Sequence, residues 1–106
     1  AFTLGVCNGC QMLSNLKAII PGSTNWPSFE RNFSDQFEAR LVQVKIKETN
    51  SILLNNMDGW TLPVASAHGE GRANFQGDDL EKLKNQNQIA INFVDSNQNN
   101  TEKYMA

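Results

Sequence analysis

Alternating apolar and polar residues predict a long β-strand over residues 37–47. Its apolar positions are Phe37, Ala39, Leu41, Val42, Val44 and Ile46. A period of two is the pattern of a strand that buries one face. The apolar phase shifts by one residue between Leu41 and Val42, and such a shift moves the next side chain to the opposite face of the sheet. We therefore expect either a β-bulge or burial on both faces at this point.

Shorter apolar runs predict further strands. They cover residues 2–6, 60–65, 73–75 and 89–94, and a polar turn at 95–100 is expected to lead into a return strand at 101–106. Pro63 places its strand at a sheet edge or a strand start, because proline has no N–H to donate to a neighbour. The stretch 23–35 has no period and is expected to be an ordered loop. Its Trp26 and Phe29 either tuck the loop onto the core or line a pocket or an interface.

Three short helices are expected between these strands. The first follows residue 7 and ends before the Pro-Gly pair at 21–22, which turns the chain. The second runs through residues 52–54 and ends near residues 58–59, with Asn50 or Ser51 as its cap, and the third begins after residues 77–79. The side chains expected to be buried are Met12, Leu13 and Leu16 on the first helix and Leu80 and Leu83 on the third.

Size and charge narrow the class of protein. The chain has 106 residues and a net charge of −2, with a sequence pI near 5.2. It is therefore one small domain without the basic surface that nucleic-acid binding needs. It contains no membrane-length apolar run and no signal peptide, and its two cysteines cannot form a disulfide framework. We expect a cytoplasmic protein with neither a nucleic-acid nor a membrane partner.

Both ends of the chain suggest a part of something larger. The chain begins inside an apolar stretch that fits a core strand, and it stops at residues 104–106 without a terminal cap. We therefore expect residues 1–106 to be the central part of a single domain, incomplete at both ends. Exposed sheet edges pair readily with other chains. We accordingly expect an oligomer formed through these edges, or a partner.

The motif Gly-x-Cys-x-Gly at residues 5–9 is the strongest candidate for chemistry. It is the cysteine counterpart of the strand-to-helix elbow, in which a strained turn lifts a nucleophile out of the fold. Gly5 and Gly9 would leave the crowded turn free of side chains. A thiol is mostly protonated at neutral pH, and the positive end of a helix favours the reactive thiolate. Cys7 is therefore the candidate nucleophile.

Two other interpretations of this motif remain open at this point. Cys7 and Cys10 also form a Cys-x-x-Cys pair, which occurs in thioredoxin-like redox proteins and in halves of zinc sites. The sequence has no second pair of ligands that would complete a zinc site. Alternatively, both cysteines are small buried apolar residues.

A second candidate region is the polar stretch 66–72, which directly follows the predicted strand at 60–65. We expect a flexible loop there, at the end of a strand, where α/β folds place their sites. It contains His68, the only histidine of the chain. Cys7 and His68 could form a nucleophile–base pair with Glu70 orienting the imidazole. A surface histidine without a catalytic role explains the pattern equally well.

Several of these segments together resemble one known family. They are residues 4–13 (LGVCNGCQML), 20–22 (IPG), 26–27 (WP), 31–32 (RN), 36–40 (QFEAR) and 66–72 (SAHGEGR). In this order they resemble the glutaminase domain of phosphoribosylformylglycinamidine synthase in its long, single-chain form. That enzyme of purine biosynthesis is a class I (triad) glutamine amidotransferase. The similarity extends over essentially the whole chain.

The resemblance implies a fold and a set of site residues. The fold would be part of an α/β, three-layer, flavodoxin-like amidotransferase domain. Cys7 would attack the side-chain amide of glutamine, forming a thioester and releasing ammonia, and the backbone N–H of Asn8 would stabilise the oxyanion. Gln11 would contact the bound glutamine, and Cys10 would only pack. The α-carboxylate and amino group of glutamine would be held by the main chain of Ala67, His68, Gly69 and Glu70.

The resemblance also implies what other parts of the enzyme contribute. The general base and its orienting carboxylate would lie in a His-Pro-Glu segment beyond residue 106, so that this chain alone would be inactive. No metal or cofactor is expected in this chain, whereas a synthase domain of the parent ligase would use ATP and magnesium. The expected partners are glutamine and the rest of the parent chain. The alternatives are an inert structural or interaction fragment and a Cys-x-x-Cys redox protein.

Overall fold

The fold is a small assembly of two sheets and short helices. The computed structural model describes residues 3–101. In chain order the elements are α1 (Asn8–Asn15), β1 (Ser28–Glu30), β2 (Glu38–Ile46), a 3₁₀ helix (Ile52–Leu54), β3 (Thr61–His68), β4 (Arg72–Asn74), α2 (Asp79–Asn85) and β5 (Ile91–Val94). This mixture of helices and strands confirms the expected class, a partial α/β domain.

The larger sheet has β2 at its centre, between β3 and β5, and both neighbours run antiparallel to it. The smaller sheet pairs β1 with β4, also antiparallel. Because β3 lies at an edge of the larger sheet, the position predicted from Pro63 is confirmed. None of the helices between residues 3 and 101 is long and apolar enough to cross a membrane.

The core is built on one face of β2. Val42, Val44 and Ile46 are at most 3% exposed, and Leu83 of α2 and Val94 of β5 are equally buried. These side chains are β-branched or branched at the next carbon, which suits a pleated surface packed on one side. Burial of Leu83 confirms one of the two residues predicted to be buried on the third helix.

The phase shift within β2 causes no bulge. Pairing with β3 continues without interruption from Glu38 opposite His68 to Lys45 opposite Thr61, so the expected bulge is wrong. Burial on both faces is also wrong, because Leu41 is 77% exposed. The two apolar runs simply occupy opposite faces of one regular strand, and the core covers only the face of Val42.

The segment before the elbow differs from the prediction. Residues 3–6 are not in a strand, and the side chains of Leu4 and Val6 are 72% and 70% exposed. A strand needs a neighbour, and no strand of the described part pairs with this segment. The prediction of a strand over residues 3–6 is therefore wrong, and residue 2 lies outside the described residues.

The buried side of α1 is also different from the expected one. Met12 and Leu16 are 56% and 40% exposed, whereas Ser14 is buried. The hydroxyl of Ser14 donates a hydrogen bond to the carbonyl of Pro27. Because this contact turns the Ser14 side of the helix toward the segment leading into β1, Met12 and Leu16 are left outside.

Two predicted loops are partly strand. β1 lies within the stretch 23–35, and β3 continues through Ser66 and Ala67 to His68 because these residues pair with residues 38–40 of β2. The connection between β3 and β4 is consequently only residues 69–71 long. The predicted second helix begins at Ile52, and the Ser51 hydroxyl accepts a hydrogen bond from the N–H of Leu53 at 3.3 Å, but the helix ends at Leu54 and not near residues 58–59.

The C-terminal hairpin agrees with the prediction as far as it is described. A side-chain oxygen of Asp95 accepts hydrogen bonds from the N–H groups of Asn97 and Asn99, which fixes the turn. The N–H of Thr101 then donates to the carbonyl of Phe93 at 3.1 Å. The remainder of the predicted return strand, 102–106, lies outside the described residues.

Candidate functional site

Cys7 occupies a strained turn immediately before α1. Its backbone angles are φ 58° and ψ −123°, a combination that residues other than glycine rarely adopt and that costs about 1–3 kcal/mol. The turn is closed by a hydrogen bond of 3.0 Å from the N–H of Gly9 to the carbonyl of Val6. Strain of this kind is the geometry of a nucleophile elbow.

The two glycines of the motif have different roles. A Cβ on Gly5 would lie 2.8 Å from the carbonyl oxygen of Gly9 and 2.5 Å from a methyl carbon of Leu13. A Cβ on Gly9 would meet nothing within 4 Å. Gly5 is therefore required for the close approach, as expected, whereas the same expectation for Gly9 is wrong because its α-carbon faces open space.

Both thiols are accessible. Cys7 and Cys10 are exposed and are not joined in a disulfide. The interpretation of these residues as buried apolar side chains is therefore wrong. Within residues 3–101 no group of three or more His, Cys, Asp or Glu side chains is placed to hold a metal ion.

A cavity of about 650 Å³ lies between the elbow and the end of β3. All seven side chains or loop positions predicted for the site line it, namely Cys7, Asn8, Gln11, Ala67, His68, Gly69 and Glu70. Phe29 and Phe37 contribute apolar wall, and Cys10 lies beside Cys7. Two segments about 60 residues apart in the sequence are thus brought to one cavity.

Gln11 connects these two segments directly. Its side-chain nitrogen Nε2 donates a hydrogen bond of 2.8 Å to the carbonyl oxygen of Glu70. Since Gln11 is on α1, the bond ties the helix that follows Cys7 to the loop that follows β3. Glu70 makes this contact through its main chain, and the residue itself is exposed.

His68 is held by a residue that the sequence did not single out as part of the site. Its ring nitrogen Nδ1 lies 2.7 Å from the side-chain oxygen of Asn32, which is only 3% exposed. The prediction that Glu70 orients the imidazole is therefore wrong. Asn32 was visible only as part of the Arg-Asn pair in the family resemblance, since its contact with His68 joins positions far apart in the sequence.

Arg72 anchors the end of the loop. Its guanidinium forms an ion pair of 2.8 Å with Glu30, and Nε donates to the carbonyl of Arg31 at 3.0 Å. The guanidinium also lies 4.1 Å from the centre of the Phe33 ring, a cation–π contact. These contacts connect β4 to β1 and the residues after it, so the short loop is fixed at its exit.

Glu38 supplies a negative charge near the imidazole. It lies opposite His68 in the register of β2 and β3. A hydrogen bond from the Arg40 guanidinium lowers the pKa of the Glu38 carboxyl below its usual value, and a bond involving Ser34 adds to the effect. Glu38 is therefore ionised at neutral pH, with Arg40 as its principal partner.

An exposed thiol on a strained turn, beside a loop-lined cavity in a small α/β domain, fits the class of the glutamine amidotransferases. The chain belongs to the CobB/CobQ-like glutamine amidotransferase domain family, whose model matches residues 1–106. This membership places it in an amidotransferase enzyme family, and glutamine is the substrate consistent with such a domain.

Proposed function

We propose that this chain is the glutamine-hydrolysing part of a phosphoribosylformylglycinamidine synthase, with Cys7 as its nucleophile. The observation that carries the proposal is the strained conformation of Cys7, at φ 58°, on a turn that lines one cavity with Gln11 and residues 67–70. Membership of the glutamine amidotransferase family supports the choice of substrate. The resemblance of the segments around Cys7 and His68 supports the particular synthase.

The proposed reaction proceeds through a thioester. The Cys7 thiolate attacks the side-chain carbonyl carbon of glutamine, so that an S–C bond forms and the negative charge moves to the oxygen. Asn8 is the first residue of α1, and the first N–H groups of a helix have no partner within it, so the N–H of Asn8 is a suitable oxyanion donor. The C–N bond then breaks, and the nitrogen takes up a proton and leaves as ammonia. Water finally attacks the thioester, which yields glutamate and restores the thiol.

Other parts of the parent enzyme complete the activity in this proposal. The base that moves the protons would lie in a His-Pro-Glu segment beyond residue 106, as the family resemblance implies. Ammonia would pass to a synthase domain that uses ATP and magnesium to convert formylglycinamide ribonucleotide to the amidine. Neither ATP nor magnesium is proposed to bind to residues 1–106. The parent enzyme would be a cytoplasmic ligase.

Replacement of the nucleophile tests this proposal. In the full-length protein, Cys7→Ser should lower glutamine hydrolysis by at least ~10³-fold, because the hydroxyl is a far weaker nucleophile at neutral pH. Ammonia release measures the activity, and mass mapping after incubation with the glutamine mimic 6-diazo-5-oxo-norleucine locates the covalent adduct. Cys10→Ser is the matched control, since it removes the neighbouring exposed thiol, and it should retain activity and the adduct on Cys7.

The outcomes separate the competing functions. An adduct on residues other than Cys7, or unchanged hydrolysis by Cys7→Ser, would contradict the proposal. No adduct and no ammonia from the wild-type protein would favour an inert structural fragment. Because both thiols are exposed and free, a redox pair is the second candidate. Reversible formation of a Cys7–Cys10 disulfide at physiological potential, without glutamine hydrolysis, would favour it.

A further inference from the structure

Asn32 makes four hydrogen-bonding contacts, and three of them reach His68 and Gly69 at the end of β3. It lies between β1 and β2 and is 3% exposed. Its side-chain nitrogen Nδ2 donates to the carbonyls of Gln36 at 2.9 Å and His68 at 2.7 Å. Its backbone N–H donates to the carbonyl of Gly69 at 2.8 Å. Its side-chain oxygen faces Nδ1 of His68 at 2.7 Å.

These contacts determine which atom is the donor between Asn32 and the imidazole. Since both carbonyl contacts occupy the Nδ2 hydrogens of Asn32, the side-chain oxygen is the acceptor and Nδ1 of His68 must carry the hydrogen. The ring is confined on a second side as well, because a Cβ on Gly71 would lie 2.6 Å from its Cγ. The imidazole thus lies between the side chain of Asn32 and the backbone of Gly71.

The same contacts orient the peptide groups of the loop. In a trans peptide the carbonyl and the N–H point in opposite directions. Asn32 draws the carbonyls of His68 and Gly69 toward itself, so the N–H groups of Gly69 and Glu70 point away from it. Gln11 holds the carbonyl of Glu70, which directs the N–H of Gly71 away from Gln11. Residues 69–71 line the cavity, and main-chain N–H groups that point into one concavity can bind an anion.

We propose that Asn32 is a positioning residue for the glutamine-binding loop. It turns the peptide groups at residues 68–70 so that the N–H groups of Gly69 and Glu70 receive the α-carboxylate of glutamine. This inference rests on the proposed function, because it takes glutamine as the ligand. Asn32 itself contacts the loop and not the substrate. Replacing Asn32 should therefore lower kcat/KM only for substrates that carry an α-carboxylate.

The test compares glutamine with glutaminamide, in which the α-carboxylate is replaced by a neutral amide. In the full-length enzyme, Asn32→Ala should lower kcat/KM for glutamine by roughly tenfold to a hundredfold, the range of one or more charge-assisted hydrogen bonds. The loss should appear in KM, and kcat/KM for glutaminamide should stay within about twofold. Alkylation of Cys7 by neutral iodoacetamide should also be unchanged.

Ser23→Ala is the matched control for loss of a buried polar side chain. Ser23 is fully buried and its hydroxyl is directed at the carbonyls of Lys17 and Ile20, at 2.7 and 2.6 Å. It does not line the cavity, so this variant should keep the wild-type preference for glutamine over glutaminamide. If Asn32→Ala does not fold, Asn32→Asp preserves the shape and the acceptor for His68 but loses the Nδ2 donors. It should show the same selective loss.

Two results would overturn the inference while leaving the proposed function intact. One is a folded Asn32 variant that prefers glutamine over glutaminamide as strongly as the wild-type enzyme does. The other is an equal loss for both substrates, which would assign Asn32 a general structural role. Failure of the wild-type enzyme to hydrolyse glutamine would instead overturn the proposed function, so the two failures are distinguishable.

Discussion

The connection between β3 and β4 contains two glycines whose surroundings differ. At Gly71 an added Cβ would lie 2.6 Å from Cγ and 2.9 Å from Nδ1 of His68, whereas at Gly69 the nearest atoms, in Phe37, are 3.9 Å away. A separation below 3 Å forces something to move, and 3.9 Å is an ordinary contact. The observed position of the His68 imidazole therefore requires glycine at residue 71 but not at residue 69.

Substitution of these glycines should therefore have unequal effects. We expect Gly71→Ala to displace the ring of His68 from Asn32 and to raise KM for glutamine by about tenfold or more, because the loop loses one of its anchors. Gly69→Ala meets no close atom and keeps the N–H that is proposed to bind the α-carboxylate, so its effect on KM should be smaller than that of Gly71→Ala. Steady-state kinetics of ammonia release in the full-length enzyme measures both. Equal effects would contradict the assignment of His68 to a fixed position.

At the scale of single residues, the sequence identified those site residues that belong to short motifs. Cys7 and Gln11 stand one helical turn apart, so a local pattern and a family resemblance were enough to place them together. Asn32 could not be found in this way, since its importance comes from contacts with Gln36, His68 and Gly69. The contact with His68 depends on the path of the chain through β1 and β2, which no local pattern encodes.

At the scale of elements, the turn that leads into α1 depends on the close approach of two backbone segments. Gly5 lies against the carbonyl of Gly9, and the N–H of Cys10 donates to the carbonyl of Cys7 at 3.0 Å. Helix α1 is further tied to the β1 segment by Ser14 and to the loop by Gln11. These four contacts therefore define the orientation of Cys7.

The unequal glycines of the elbow give a prediction at this scale. Gly5→Ala should shift α1 relative to the preceding chain and lower kcat for glutamine hydrolysis by about 10²-fold, because small displacements of a nucleophile are costly. Gly9→Ala should leave kcat nearly unchanged and stabilise the protein by about 0.5–1 kcal/mol, because alanine favours helix over glycine. Kinetics and urea denaturation of the two variants measure these effects. A loss of activity in Gly9→Ala as large as that in Gly5→Ala would contradict the prediction.

Elements with a clear hydrophobic period were predicted well. Which of their faces are buried, and which strands they pair with, was not predicted. The strand at 37–47 became β2, because alternation is a property of the strand itself. Which face of the strand is buried depends on the elements that pack against it. Leu41 is exposed and Val42 is buried, although both are apolar. The extension of β3 to His68 likewise depends on pairing with residues 38–40, which the polar sequence 66–68 does not reveal.

At the scale of the whole molecule, stability rests on a small core. Among the described residues the buried apolar side chains are Val42, Val44, Ile46, Leu83 and Val94. Large apolar side chains such as Ile19 and Leu41, each 77% exposed, lie outside it. A core of this size leaves a small margin of free energy of unfolding. The expected oligomer through exposed sheet edges stays a prediction.

A conservative pair of substitutions measures how much the core contributes. Ile46 is 2% exposed and Ile19 is 77% exposed, so the same loss of one methylene tests burial directly. Ile46→Val should lower the free energy of unfolding by about 0.5–1.5 kcal/mol. Ile19→Val should change it by less than about 0.5 kcal/mol. Urea denaturation at equilibrium provides both values, and a larger effect at Ile19 would show that residue 19 is buried in solution.

The hydrogen bond from Gln11 to the carbonyl of Glu70 has a consequence for how this site can change during evolution. Every amino acid carries a main-chain carbonyl, so position 70 can serve the contact with almost any side chain. Position 11, by contrast, must retain a donor of the right length. We therefore expect more natural variation at position 70 than at position 11. Related chains would then keep this contact while the side chain at position 70 changes.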